Sequence, residues 1–233
     1  MQLALSTIAM ADWFSSAATT YYLMGFGYTE NAVFAREILR KIRPRAKVYV
    51  INVDGFFVRS ETEPAKTVMR DSTARIHYEV KRVWQFFHEW ICHGFATICG
   101  DHYVIFRSRA TGAYRVWGLS QLESRAISYD RTIDLAATED EVATGKEFLS
   151  RLPVKHECII LTMVPTVGTK IGTANAIATG LGMNLVVPEL DGLRTFDGSH
   201  LDHPSAERWS KAFLHAAAPR VRKCIGDSQE SRP

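Results

Sequence analysis

Two side chains near the C-terminus could perform acid–base chemistry together. Asp197 lies three residues before His200, in a segment that reads Phe-Asp-Gly-Ser-His-Leu-Asp-His-Pro-Ser-Ala over residues 196–206. In a nucleophilic triad a histidine is the base for a hydroxyl nucleophile, and a carboxylate orients the imidazole. A loop with this spacing could supply both groups. The alternative is that Asp197 and Ser199 are ordinary turn and cap residues and that His200 is a surface histidine.

Asp54 and His203 are the other titratable residues that could join such a site. Phosphate or metal chemistry built on Asp54, Asp197, His200 and His203 would need more converging carboxylates and histidines than the sequence places there. His203 directly precedes Pro204 and is predicted to be a solvated residue at the entry to a helix. We therefore predict neither a metal nor a cofactor.

The four cysteines suggest different roles. Cys92 and Cys99 are close enough in sequence to form a local disulfide in an oxidising compartment, or they are two half-buried thiols. Their spacing around His93 matches no common zinc-ligand pattern. Cys158 lies in an apolar segment, which predicts a small core residue.

Length and composition are those of a soluble globular chain with one large core, or with one domain plus an insertion. The chain has 233 residues, 46% hydrophobic and 23% charged, with a formal net charge of +3. Because the basic residues are scattered along the chain, no nucleic-acid partner is predicted. The apolar run from Leu3 to Met10 is too short to span a membrane and lacks the basic leader of a signal peptide, so neither a transmembrane segment nor an export signal is predicted.

Hydrophobic periodicity predicts alternating helices and strands, as in a parallel sheet. We predict helices over 30–42, 76–90, 138–152, 173–180 and 205–221, strands over 47–53, 157–164 and 183–187, and a hairpin within 99–118. Residues 62–129 are predicted to be an insertion on the main sheet, in a single domain over 1–222. Residues 223–233 are predicted to be a loose tail.

An aromatic cluster lies in the predicted insertion. Trp84, Phe86, Phe87 and Trp90 recur at helical spacing, and they could line a sugar-binding site or form core.

The segment around Asp197 and His200 resembles the last sequence block of the SGNH (GDSL-type) hydrolases. The likeness is closest to the envelope-associated branch, which includes proteins that modify O-acetyl groups of polysaccharides. The resemblance implies a doubly wound, flavodoxin-like parallel sheet. It also implies a serine nucleophile after the first strand, and an oxyanion hole completed by a glycine and an asparagine.

Carried over to this chain, the resemblance assigns the triad base to His200 and its orienting carboxylate to Asp197. Gly27 matches the glycine of the oxyanion hole, although Gly25 could be the match instead. Asn52 is assigned as the asparagine, although Asp54 stands where the family usually has it. A carboxylate cannot donate to an oxyanion unless it is protonated.

Ser6 matches the nucleophile, because Ser6-Thr7 and the residues after it resemble the family's first block. The residues before it, Ala4 and Leu5, replace the usual glycine turn, and five residues are too few for a first strand of normal length. We therefore expect a first strand that is short or missing, as in a chain truncated at its N-terminus.

Two functions follow from the resemblance. One is a serine esterase or O-acyltransferase that acts on a small-molecule or carbohydrate ester. The other is a degenerate, non-catalytic relative that serves as a binding or assembly module. A lost upstream anchor would place the protein at the cell envelope, and otherwise the absence of an export signal would place it in the cytoplasm.

Overall fold

The structure is a computed structural model, and it describes residues 20–24, 31–60, 73–95, 104–107, 111–112, 114–117 and 124–226. The described residues form helices and short strands that alternate along the chain. In chain order they are α1 Ala32–Ile42, β1 Tyr49–Asn52, α2 Ala74–Gly94, β2 Val104–Arg107, β3 Tyr114–Trp117, β4 Arg125–Ala126, α3 Leu135–Leu149, β5 Ile159–Thr162, α4 Ile171–Gly180, β6 Arg194–Thr195 and α5 His203–Gly226.

A parallel pair of strands lies at the centre. β1 and β5 run side by side with Tyr49 opposite Ile159 and Asn52 opposite Thr162. Residue Leu185 makes a further parallel bridge to Leu161 on the other side of β5. The predicted strand over 183–187 is not formed, because this segment pairs with β5 only through the single bridge at Leu185.

Alternate residues of β5 face two hydrophobic clusters, as expected for a strand buried on both faces. Ile159 and Leu161 pack in a cluster with residues of α1, α3 and α4. Ile160 packs in a second cluster with Trp209 and other residues of α5. Helices thus cover both faces of the two-stranded parallel sheet, and the fold is mixed α and β, as predicted.

α5 is longer than predicted and is tied to the sheet at its end. Cys224, in its last turn, is bonded to Cys158 at the start of β5, and both residues are buried. Cys158 is a buried residue, as predicted, and its disulfide bond to Cys224 was not predicted. The predicted tail boundary at 223 is wrong, because the helix continues to Gly226.

α3 begins at Leu135, earlier than the predicted start at residue 138. Asp134 is the N-cap, and its carboxylate accepts a hydrogen bond from the backbone N–H of Ala137 at 3.1 Å. The hydroxyl of Thr138 donates to the Asp134 carbonyl at 2.6 Å, as a residue inside a helix can do.

The predicted insertion contains α2 and an antiparallel hairpin of β2 and β3. Gly112, in the turn, has a φ of +67°, which a residue with a side chain adopts only with strain. β4, which was predicted to belong to the insertion, pairs antiparallel with β6. Cys92 of α2 is disulfide-bonded, and its predicted partner Cys99 lies outside the described residues.

None of the described helices is both long enough and apolar enough to cross a lipid bilayer.

Candidate functional site

The predicted base and its carboxylate are in contact. Nδ1 of His200 lies 2.5 Å from Oδ2 of Asp197. The other carboxylate oxygen, Oδ1, accepts the backbone N–H groups of Ser199 at 2.9 Å and His200 at 2.7 Å. This carboxylate therefore folds the loop and holds the imidazole at once, so the turn role and the orienting role belong to the same side chain.

The same hydrogen bonds set the charge of Asp197. Partial burial alone would raise its pKa, but the hydrogen bonds from the His200 ring and from the backbone of Ser199 and His200 outweigh this effect. The pKa of Asp197 is consequently lowered, and the group is a carboxylate at neutral pH.

The ring of Phe196 stacks on the imidazole of His200. The ring centroids are 5.6 Å apart and the planes are inclined by 14°. With Asp197 bound to Nδ1 and Phe196 covering one face, the imidazole is restrained in position and in rotation. The residue-type signal for this role was present in the sequence, since Phe196 lies four residues before His200, but spacing alone does not predict stacking.

The loop is fixed at both ends by the elements around it. The backbone N–H of Phe196 donates to the His200 carbonyl at 3.0 Å, and the backbone N–H of Asp202 donates to the Arg194 carbonyl at 2.9 Å. The Asp202 carboxylate accepts the Ser205 backbone N–H at 2.9 Å in the first turn of α5. His203 is an exposed residue at the start of that helix, as predicted.

A second loop connects this segment to the carboxyl ends of the parallel strands. The backbone N–H of Val167 donates to the Gly198 carbonyl at 3.1 Å. Three residues earlier, the backbone N–H of Val164 donates to Oδ1 of Asn52 at 3.4 Å. Asn52 and Gly198, which is in the loop of Asp197 and His200, are therefore hydrogen-bonded to opposite ends of the short segment 164–167.

The oxygen of the Asn52 side chain is occupied by backbone donors. Besides Val164, the backbone N–H of Asp54 donates to it at 3.4 Å. Because both contacts are made by donors, they assign the bound atom as the oxygen and leave the amide nitrogen to donate elsewhere. This is the orientation that an oxyanion donor requires.

Asp54, two residues after Asn52, is a titratable residue whose pKa is shifted by its surroundings. Desolvation by the surrounding protein raises the pKa of Asp54, and the positive charge of Lys170 opposes the rise.

Glu141 is a titratable residue that the sequence did not single out. It lies on α3, and its Oε2 atom is buried without a hydrogen-bond partner among the described residues. Burial, followed by the negative charges of Asp54 and Asp134, raises the pKa of Glu141 to about 7, although Lys170 opposes this. The described residues contain no group of three or more histidine, cysteine or acidic side chains that could hold a metal ion.

Ser6 and Gly27, the predicted nucleophile and the predicted glycine of the oxyanion hole, lie outside the described residues. Within the described chain, Asp197 and His200 are in direct contact, and Asn52 is hydrogen-bonded to the segment after β5 that also contacts their loop at Gly198.

Comparison of the chain with protein-family models, with curated proteins and with solved structures gave no match to any of them.

Proposed function

We propose that this protein is an SGNH-type serine hydrolase or acyltransferase that acts on an ester, in the simplest case an O-acyl group of a carbohydrate. The observation that carries the proposal is the contact between Nδ1 of His200 and the Asp197 carboxylate. The family resemblance adds the doubly wound sheet, in which loops at the carboxyl ends of parallel strands form the site.

The contact with Asp197 favours the His200 tautomer that carries its proton on Nδ1, which is the tautomer that base catalysis needs. With Nδ1–H donated to Asp197, the unprotonated Nε2 is the atom that can accept a proton from a hydroxyl. Nε2 makes no hydrogen bond to the rest of the described chain, and 31% of the His200 side chain is exposed. A substrate can therefore reach it from solvent.

In the proposed reaction, His200 removes the proton of the Ser6 hydroxyl while the serine oxygen attacks the ester carbonyl. The tetrahedral oxyanion accepts hydrogen bonds from the backbone of Ser6 and Gly27 and from the amide of Asn52. The leaving alcohol takes the proton from His200, and an acyl-enzyme remains. Water or a sugar hydroxyl then gives its proton to His200 and attacks the acyl carbon, and His200 returns that proton to the Ser6 oxygen as the acyl–enzyme bond breaks.

A fluorophosphonate probe, which labels activated serine hydroxyls, tests the proposal. We expect labelling of the folded protein that is lost in Ser6→Ala and falls by at least about 100-fold in His200→Ala, since general-base catalysis contributes that much. His215→Ala is the matched control, because His215 is an exposed histidine of α5. Labelling that survives in His200→Ala would contradict the assigned base.

The degenerate relative is the second candidate, and the observation that favours it is the aspartate at position 54, where the family usually has an asparagine. It predicts a folded protein, judged by circular dichroism, that no fluorophosphonate labels at any pH between 6 and 9. It also predicts that Asp197→Asn and His200→Ala leave the binding of any partner unchanged.

A further inference from the structure

Helix α2 presents a continuous apolar stripe to solvent. Seven of its residues recur at positions i, i+4, i+7, i+8, i+11, i+14 and i+15, which lie on one side of a helix. All are exposed, from 43% for Ile91 to 70% for Trp84 and Trp90. The stripe consists of Ile76, Val80, Val83, Trp84, Phe87, Trp90 and Ile91.

The stripe contains three large aromatic side chains, and each is more than half exposed. The helix has 21 residues, and at about 1.5 Å per residue it is about 30 Å long. The largest apolar patch of an ordinary monomer covers roughly 300–600 Å², and a single large aromatic side chain can contribute about 150–250 Å². Phe86 and Phe95, exposed by 68% and 60%, extend the apolar surface at the side and end of the stripe. The alternative that Trp84, Phe86, Phe87 and Trp90 form core is therefore wrong for the described chain.

The charge of the chain is concentrated in the same insertion. Residues 62–129 contain nine of the 28 Lys and Arg residues and six of the 25 Asp and Glu residues, a net charge of +3. The rest of the chain has 19 of each and is neutral. Basic residues are scattered along the sequence, as predicted, but the excess of positive charge lies entirely in the segment that carries the apolar stripe.

We infer that α2 is an interfacial helix that binds the surface of an anionic lipid bilayer. A helix with a strong apolar face, low overall hydrophobicity, exposed Trp and Phe side chains and basic residues in the same segment of the sequence is suited to lie in the plane of the headgroups. The aromatic rings enter the boundary between headgroups and acyl chains, and Lys81, which is exposed beside the stripe, remains with the phosphates.

The net positive charge of residues 62–129 favours an anionic bilayer over a second copy of the chain as the partner of the stripe. Pairing two copies of α2 would bring together two insertions of the same positive sign, whereas an anionic bilayer complements that sign. The residue types on the stripe also favour a bilayer over a second copy of the helix. The residues at 76, 80, 83, 87 and 90 have the spacing of a coiled-coil seam, but the last two are Phe87 and Trp90 rather than the aliphatic residues that such seams favour.

The inference does not depend on the proposed hydrolase function. If both hold, the helix would bring the site to esters at a membrane surface, and each can fail while the other stands.

Co-sedimentation with vesicles tests the inference. We expect the full chain to sediment with vesicles of 70% phosphatidylcholine and 30% phosphatidylglycerol, and at least about tenfold more weakly with pure phosphatidylcholine. The double variant Trp84→Ser/Trp90→Ser should lose at least tenfold in vesicle affinity while its thermal unfolding stays unchanged, because both side chains are exposed. Leu135→Ser is the matched control, since Leu135 is 72% exposed on α3, away from the stripe.

A charge variant adds an independent measurement. Lys81→Glu should weaken binding to the anionic vesicles and leave weak binding to phosphatidylcholine unchanged. The inference is overturned if the folded chain does not bind the anionic vesicles. It is also overturned if the stripe variant binds as the unchanged chain does, or if sedimentation in the absence of lipid shows a dimer that Trp84→Ser/Trp90→Ser dissociates.

Discussion

Oδ1 of Asn52, the last residue of β1, accepts the backbone N–H of Val164, two residues beyond β5, at 3.4 Å. The contact joins the carboxyl ends of the two parallel strands. The side-chain oxygen of Asn52 is thus the atom that accepts from the backbone, and the amide nitrogen is the group that could donate to a substrate.

The first prediction uses the different roles of the oxygen and the nitrogen of the Asn52 amide. Asn52→Asp keeps an oxygen for the backbone of Val164 and removes the only donor of the side chain. We expect the fold to persist and kcat for a nitrophenyl ester to fall by about 100- to 1,000-fold, the usual effect of removing one oxyanion donor. Asn184→Asp, a change at an exposed residue outside the site, is the control. Equal activity of the two variants would remove Asn52 from the oxyanion hole.

The second prediction concerns the loop of Asp197 and His200. The pKa of Asp197 is lowered in the folded chain, so its carboxylate stabilises the fold above the pKa of the unfolded chain, near 3.8, and this contribution is lost as the pH falls through the lowered value. Asp197→Asn should therefore reduce the free energy of unfolding at pH 7, and the difference between the two proteins should shrink below about pH 4. Urea unfolding at pH 7, 5 and 3 measures it.

The same variant separates orientation from stability. An amide at position 197 would present either a donor or a neutral acceptor to Nδ1 of His200, and it would no longer stabilise an imidazolium. Fluorophosphonate labelling at pH 7, where the variant is still folded, should fall by at least about 100-fold. Unchanged labelling would mean that the carboxylate serves only the turn.

Much of the fold was predictable because it depends on local patterns. The hairpin was indicated by alternating residues around Thr111-Gly112, and the parallel pair by apolar runs that end in polar residues. β6 has two residues and pairs with β4 in the predicted insertion, and so short a strand has no periodicity to detect. α3 starts after the Asp134 cap rather than at residue 138. Both Asp134 and Thr138 are residue types that favour the N-cap position, so the sequence alone does not choose between them.

The site was predictable to the extent that it lies within one segment. Asp197 and His200 are three residues apart, so a single loop conformation brings them together, whereas the Asn52–Val164 contact spans 112 residues. Periodicity also predicted which residues of α2 share a face, but not that this face is exposed. A helix with the same pattern packs against core in most proteins, and only the tertiary structure distinguishes the two cases.

The third prediction concerns Glu141, whose pKa is raised to about 7. The folded chain binds a proton there between the unfolded pKa, near 4.5, and 7, so this residue makes the fold less stable as the pH rises through that range. The loss should approach completion about one pH unit above 7 and amount to at most about 3.4 kcal/mol, from a shift of roughly 2.5 pH units at about 1.4 kcal/mol each. Glu141→Gln, which stays neutral, should be more stable than the unchanged protein at pH 8 and equal to it near pH 4.5.

Glu139→Gln is the control for this titration, because Glu139 is an exposed residue of the same helix. Chemical unfolding at intervals of half a pH unit would locate the transition. A stability difference between Glu141→Gln and the unchanged protein that does not vary between pH 4.5 and 8 would contradict the raised pKa.

The last prediction concerns the bond between Cys158 and Cys224, which joins residues 66 positions apart. Closing a loop of this length restricts the unfolded chain and stabilises the fold by up to about 4 kcal/mol in the chain-entropy model, with measured values commonly lower. Cys158→Ala/Cys224→Ala should therefore lower the free energy of unfolding by about 2–4 kcal/mol, measured in urea under oxidising conditions. The purified protein should also show no reaction of these two thiols with a maleimide until a reductant is added. If both thiols react in the untreated, folded protein, the bond does not form and α5 is held by its apolar face alone.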